Sequence, residues 1–496
     1  MKILFVFNSL NRRYCGQIFR YDIKSFRRQY SKNEDRVADL AIIGIGPGGL
    51  YGALRAKEIG MKHVVVIDKL PTVGGTCINN GCIPSKCLIK FSYNYHQVKS
   101  GVFASQGVVT SGLKLDLIKL MSSKSKIVAN LSDHMTSILK TSGIDIVRGT
   151  AKISGCNKIT VETDDGKRRV VEADNIIIAT GATNRPFPGI EIDEERIVST
   201  AGVLNLKTVP KRLTVVGAGI SAIEMGSAWC HLGSQVTIVS NDSLIGAFKI
   251  DEEVRSKYQK ILEDQGMKFV MDTKILGAKR SGNVVKVQTE DVRGGKKKEM
   301  ECDVLLIAVG RIPYTEGLDL ERVAIKTNKN GYIQVHPNYQ TSTPNFYAVG
   351  DVTPGPMTAH KASEDGMTCV DNLCGISAHF DWINIPLVIY THPEIASIGK
   401  TEEELQEEGI PYEVKWCTFN ENARARTDLD TTGCIKALFC PHTKMVLGTH
   451  IISQHAGEII HEALIAHQFG ITAPQIGRMV HAHPTYAKIY KTIYGR

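Results

Sequence analysis

Apolar residues in this chain gather into short unbroken runs, most of which stop at or just before a glycine. LAII (40–43), VVVI (64–67), NIII (175–178), LTVV (213–216), VTIV (236–239), DVLLI (303–307) and NFYAV (345–349) are too short for helices and lack polar alternation. Runs of that length read as strands buried on both faces, the habit of parallel sheets covered by helices. Helix-like stretches stand beside them, such as ALRAKEIG (53–60), and residues 91–140 read as one or two amphipathic helices. From about residue 384 the texture changes to hairpin-like runs, DTTGCIKALF (430–439) and MVLGTHII (445–452), followed by a helix over GEIIHEALIAHQF (457–469). The pattern predicts an α/β protein with a smaller α+β domain at its C-terminal end.

At 496 residues the chain is too long for one core, so two to four domains are expected. No apolar run approaches the ~20 residues of a membrane span. The twelve cysteines are scattered, which fits a reducing compartment better than a secreted disulfide scaffold. Net charge is +9, but residues 1–33 hold eight Lys or Arg against one acid, Asp22. With that leader set aside there is no support for a nucleic-acid partner. The leader is Arg-rich and acid-poor and reads as a mitochondrial transit peptide over residues 1–30, with Arg28-Gln-Tyr-Ser31 resembling a matrix-processing site.

Two stretches carry a nucleotide fingerprint. LAIIGIGPGGL runs from a strand into Gly44-x-Gly46-x-x-Gly49, then a helix, then a second strand ending at Asp68. Glycines in that turn let a pyrophosphate approach the helix N-terminus, and the acid takes ribose hydroxyls. The second fingerprint has Gly217-x-Gly219 but Ala222 at the third position, and its second strand ends in Ser240 rather than an acid. Two such units about 170 residues apart imply two dinucleotide domains.

Shortly past Asp68 comes GGTCINNGCIPSK (74–86), with Cys77 nine residues after that acid and Cys82 five positions further on. Along an ideal helix five residues rise about 7.5 Å and turn roughly 140°. A bridge between them therefore needs a distorted turn, for which Gly74, Gly75 and Gly81 provide freedom. Strained, reducible pairs are the ones used in thiol exchange. Cys369 and Cys374 share the spacing without the glycines and read as ordinary core cysteines.

A nucleotide turn followed by this cysteine motif resembles the flavin-dependent pyridine nucleotide-disulfide oxidoreductases, and GCIPSK resembles the dihydrolipoyl dehydrogenases among them. The resemblance runs from about Val37 to Lys488. It implies two Rossmann-like domains, for FAD and NAD, and a C-terminal dimerisation domain. The expected division is an FAD-binding domain over 31–185 and 314–383, an NAD-binding domain over 186–313 and an interface domain over 384–496. By resemblance Cys77 is the interchange thiol, Cys82 lies against the flavin, and His483 in HAHPTYAKIY is the catalytic base serving the other subunit of a homodimer. FAD would be held by Gly44, Gly46, Gly49, Asp68, Gly75, Thr76, Lys86, Ala151, Thr180, Gly181, Ala182, Asp351 and the run Met357, Thr358, Ala359 and His360. NAD would be held by Gly217, Gly219, Ala222, Glu224, Ser240, Ile275 and Gly310. No metal is implied. The implied partners are the lipoyl domains and acyltransferase core of 2-oxo acid dehydrogenase complexes, or a glycine cleavage complex, in the mitochondrial matrix.

Lys488 stands where the family has a glutamate that orients the histidine, the tail ends eight residues later, and Ser240 replaces an acid. Three readings follow: a working dihydrolipoyl dehydrogenase, a catalytically weakened paralogue acting as an FAD-binding regulatory subunit, and an NADPH-dependent reductase of the same fold. The last is disfavoured because no arginine lies in 240–248 to meet a 2′-phosphate. Glu458 and Glu462 remain alternative partners for His483.

Overall fold

The computed structural model describes residues 37–246 and 249–495; the basic leader, read above as a transit peptide, lies outside the described residues. The first apolar run forms β1 (Ala38–Ile43), which enters α1 (Pro47–Ile59) and returns as β2 (Val64–Asp68) parallel to β1, with Leu40 opposite Val64 and Ile43 opposite Ile67. Strands Ile144–Arg148, β2, β1, the second half of Arg168–Ile178, and Phe346–Ala348 make one parallel sheet. Two antiparallel strands, Lys158–Glu162 and Thr150–Gly155, extend it.

The second fingerprint builds a separate parallel sheet in the order Lys268–Val270, Gln235–Val239, Arg212–Val216, Val304–Ile307, Ile197–Val198. A three-stranded antiparallel sheet over 273–302 accompanies it. The C-terminal region is a five-stranded antiparallel sheet with the helix Ala456–Phe469 packed against it. Strand pairs Cys434–Phe439 and Val446–Ser453 are the hairpin that the sequence pattern predicts.

Phe346–Ala348 returns to the first sheet because its following helix, Ala359–Leu373, seats directly on α1. The contact is backbone to backbone: a Cβ at Gly366 would stand 2.1 Å from the Gly48 carbonyl. Only glycine permits that approach.

Two expectations change. Residues 91–99 belong to α3 (Cys82–Lys99), which already starts at the second cysteine, and the next long helix is Leu117–Thr141. Pro84 does not break α3, because it sits in the first turn, where the N–H has no intrahelical partner. Cys369 is buried as expected, but Cys374 caps the end of its helix and is exposed.

Candidate active site

Cys77 lies on α2 (Gly75–Asn80) and Cys82 opens α3, with Gly81 between the two helices. The helix is thus interrupted at the place where an uninterrupted one would hold the sulfurs apart. The glycines ahead of the pair are required: Gly74 and Gly75 have φ of +101° and +55°, and a Cβ on Gly74 would meet the Ile78 side chain at 2.3 Å. The sulfurs stand as a thiol pair joined by a hydrogen bond.

That hydrogen bond polarises the pair. It pushes the Cys77 thiol up, with burial adding to the effect, and pulls Cys82 down to about 7 against the opposing pull of burial. The Lys86 ammonium, one helical turn along α3, also favours the Cys82 thiolate. Charge therefore rests on Cys82 and the proton on Cys77. Because the shift is downward, the Cys82 thiolate is present above about pH 7 and is lost as pH falls through that value. Ultraviolet titration of the reduced protein should show one thiolate appearing with a midpoint near 7, and Lys86→Met should move the midpoint upward. A midpoint in the ordinary thiol range near 8.5, unmoved by Lys86→Met, would contradict this polarisation.

Lys86 reaches across to the second nucleotide fold. Its Nζ donates to both oxygens of Glu224, at 3.0 and 2.9 Å, and lies 4.5 Å from the centre of the Tyr390 ring. Glu224 is buried and also accepts the Tyr390 N–H at 3.0 Å. Glu394, a half-buried carboxyl nearby, is pushed up to about 7 by desolvation. Tyr390 and Glu394 escaped the sequence reading, since nothing local distinguishes them.

The two glycine turns open on the same left-handed conformation: φ is +103° at Gly44 and +101° at Gly217. Gly46 and Gly219 cap their helices with φ of −75° and −78°. An added Cβ at either cap residue meets nothing within 4 Å, so both helix N-termini open onto free space. Such a terminus is suited to a phosphate. The turns differ at the third position. A Cβ at Gly49 would lie 1.9 Å from the Gly44 carbonyl, whereas Ala222 is accommodated, fully buried. The second turn stands off far enough to admit a methyl group.

Around the first turn, Asp68 is held in place by the backbone N–H groups of Ile45 and Leu70, at 2.7 and 2.9 Å. Asp351, its carboxyl raised by burial against the pull of Arg311, accepts from that guanidinium at 2.7 Å. Arg311 also donates to the Ala182 carbonyl at 2.6 Å and was missed by the sequence reading, although it follows Gly310 directly. Thr180 donates to the Tyr314 carbonyl at 2.6 Å, and the Gly181 carbonyl accepts the Tyr314 N–H. Met357 precedes Thr358, the N-cap of the helix that begins at Ala359; the Thr358 hydroxyl is buried without a partner, and His360 bonds to the Pro386 carbonyl. Gly75 packs against the first turn, while Thr76 is exposed on α2 and Ala151 is buried in an antiparallel strand.

By the second turn, a cleft of about 230 Å³ is lined by Gly217, Ser240, Asn241, Lys274 and Ile275 among others. Ser240 is not simply a missing acid: its hydroxyl donates to Asp242 at 2.9 Å, which leaves a carboxylate one hydrogen bond away. Gly310 turns the chain out of the sheet at φ +99°.

His483 lies far along the chain and, among the described residues, has no contact with the thiol pair of its own chain. Lys488 Nζ is 3.0 Å from its Nδ1. Glu462, weighed above as its alternative partner, instead bonds His481 Nε2 at 2.9 Å.

Comparison with known proteins agrees with this construction. Residues 38–366 match the family described as pyridine nucleotide-disulphide oxidoreductase, and residues 385–493 match its dimerisation domain. The chain is 45% identical over 455 residues to mitochondrial dihydrolipoyl dehydrogenase of Sus scrofa, covering 92% of this chain and 89% of that one. For the Homo sapiens protein of the same name the identity is 44% with the same coverage. Among solved structures, LpdA from Mycobacterium tuberculosis superposes with a TM-score of 0.85 at 24% identity, covering 92% of this chain and 99% of that one. The HOCl-induced flavoprotein disulfide reductase RclA from Escherichia coli gives 0.81 at 25% identity, with coverage of 92% and 99%.

Proposed function

Given that this chain belongs to the pyridine nucleotide-disulphide oxidoreductase family, in its dihydrolipoyl dehydrogenase branch, we propose that it oxidises protein-bound dihydrolipoamide to lipoamide through Cys77 and Cys82, with FAD and NAD⁺ as electron carriers. The observation that carries this reading is the pair Cys77 and Cys82 at the break between α2 and α3, set beside the Lys86–Glu224 bridge between two nucleotide folds. The weakened-paralogue and NADPH-reductase readings are not favoured by 45% identity to a dihydrolipoyl dehydrogenase.

The residues at the first turn fit FAD. The open α1 N-terminus suits its pyrophosphate, Asp68 a ribose diol, and Asp351 the hydroxyls of the ribityl chain. The unpartnered Thr358 hydroxyl supplies a buried polar contact that a bound group would satisfy. When bound, FAD supplies the electron transfer between thiols and nicotinamide. The protein's own part is to bind and to polarise: Cys77 meets the substrate sulfur, Lys86 holds charge on Cys82, and Glu224 holds Lys86. His483 is the base toward the substrate thiol, since the thiolate is the nucleophile.

The C-terminal sheet is the surface through which two chains pair, each His483 completing the site of the other. The leader and the names of the relatives support a mitochondrial matrix location, with lipoyl domains of 2-oxo acid dehydrogenase or glycine cleavage complexes as partners. The direct test is anaerobic stopped-flow with dihydrolipoamide, following the thiolate-to-flavin absorbance and then NADH. Flavin reduced by NADH but untouched by dihydrolipoamide would reject the substrate.

At the second turn Asp242 serves the NAD ribose in place of an acid at 240. Asp242→Asn should raise the KM for NAD⁺ roughly three- to tenfold, the range of one partly exposed hydrogen bond to a charged group. Ser240→Glu should lower it. If steady-state kinetics show no change in either variant, the ribose is held by other groups.

A further inference from the structure

His481 and His483 stand two residues apart, each held by a partner of opposite charge to the other's. Glu462, from the helix Ala456–Phe469, bonds His481 Nε2, whereas Lys488 Nζ lies 3.0 Å from His483 Nδ1. An ammonium has hydrogens and no lone pair, so it only donates. Its hydrogen bond lands on a bare Nδ1, and the single proton of a neutral ring is then left on Nε2. A carboxylate at position 488 would impose the reverse, taking Nδ1–H and leaving Nε2 as acceptor. The remaining charged groups lie elsewhere. Asp428, Asp430 and Arg424 surround Tyr486, with His455 packed on its ring, and Glu458 is on the helix of Glu462. Among the described residues none of these is hydrogen-bonded to His483 or Lys488.

We propose that Lys488 and His483 form one proton-carrying unit, in which Lys488 is the positioning residue that sets the ring tautomer and finally holds the substrate's proton. This rests on the reading of His483 as the base toward dihydrolipoamide. In that step the substrate sulfur attacks Cys77 Sγ, the Cys77–Cys82 bond breaks, and Cys82 leaves as thiolate. The thiol proton goes to Nε2, which accepts it only while the ring proton is on Nδ1, donated to an uncharged Lys488 amine. As Nε2 is protonated, the Nδ1 proton passes to Nζ. The ring ends neutral and Lys488 ends as the ammonium, so one proton leaves the substrate and one arrives at the amine. In the reverse direction Nε2–H protonates the departing sulfur while the ammonium reprotonates Nδ1.

The working form for oxidation is therefore the free amine. A lone histidine base makes kcat/KM for dihydrolipoamide level off above about pH 7, whereas this unit keeps it rising about tenfold per pH unit to pH 9. The experiment is that profile, from pH 6 to 9.5, for the FAD-loaded wild type, Lys488→Glu and Lys488→Arg, with flavin content checking the fold of each.

Lys488→Glu should level near neutrality and exceed the wild type by roughly tenfold or more at pH 7. Lys488→Arg keeps a donor on Nδ1 that never becomes a free amine, and should fall at least about tenfold below the wild type at pH 9. At pH 7.5, with Lys488 held as the ammonium, the ¹⁵N shifts of His483, identified through His483→Gln, should report a bare Nδ1 in the wild type and a protonated one in Lys488→Glu. Three results overturn the inference and leave the proposed function standing: a wild-type profile that levels near pH 7 and is matched by Lys488→Glu, an arginine variant equal to wild type throughout, or Nδ1 protonated in the wild type at pH 7.5. If neither wild type nor Lys488→Glu oxidises dihydrolipoamide at any pH while NADH still reduces the flavin, the proposed substrate fails and the inference fails with it.

Discussion

After reduction, Cys77→Ser protein should keep a long-wavelength thiolate-to-flavin band that Cys82→Ser protein lacks, and each variant should lose dihydrolipoamide oxidation by on the order of 10⁴-fold or more. The loss is expected because the two sulfurs act as one unit: without either, no disulfide exists for the substrate to open. The asymmetry follows from the polarisation of the pair. The hydrogen bond and Lys86 hold the charge on Cys82, and a serine hydroxyl at 77 still donates to it. Serine at 82 instead leaves Cys77, whose proton is held more tightly by its buried site. Absorbance spectra of the two reduced proteins at pH 8 decide the matter. A band lost from both would reject the assigned order, one kept only in Cys82→Ser would reverse it, and activity within tenfold of wild type would remove the thiols from the reaction.

The second large effect separates fold from ligand at the first turn. Gly49→Val should give colourless, strongly destabilised protein, since even its Cβ would sit 1.9 Å from the Gly44 carbonyl and 3.1 Å from Ile42 Cγ2. Neither atom can yield without moving β1 or α1. Gly46→Val should also be colourless, for a different reason. Its backbone, at φ −75° and ψ −175°, suits any residue, and its Cβ meets no protein atom within 4 Å. The valine projects into the space at the helix terminus that the pyrophosphate needs. Flavin-stripped Gly46→Val protein should therefore melt close to stripped wild type, within the roughly 0.5 kcal/mol typical of harmless surface changes. A yellow Gly46→Val protein with one flavin per chain would exclude the α1 terminus as the pyrophosphate site.

Much of the architecture was legible because its signals are local. A parallel strand buried on both faces must be apolar throughout, so β1, β2 and their counterparts at 213 and 236 stand out as runs. The glycines at 44 and 217 are demanded by a left-handed turn a few residues long. The cysteine pair was legible for the same reason, with glycines at the bends that bring two helices together at Gly81. What failed was also local in origin: apolar spacing alone does not show that α3 begins at Cys82, or that Cys374 falls past the end of its helix.

Which polar group meets which was decided by the tertiary structure. Lys86 and Glu224 are 138 positions apart, and Arg311 and Asp351 are 40 apart. No periodicity links such pairs, because a hydrogen bond depends on where two backbones cross. The charge on the thiols is likewise decided in space, by the hydrogen bond between Cys77 and Cys82 and by the Lys86 ammonium acting against burial. Ser240 reads as a lost acid until the fold brings Asp242 to its hydroxyl. The C-terminal histidines carry the same lesson. Spacing leaves Glu458, Glu462 and Lys488 all as candidates for His483, and the packing of one helix assigns Glu462 to His481 and leaves an ammonium, 3.0 Å away, on His483. Apolar pattern and turn chemistry act over a few residues and survive in the one-dimensional record. Partnership between polar side chains is short-ranged in space and unconstrained along the chain, so it exists only once the chain has folded.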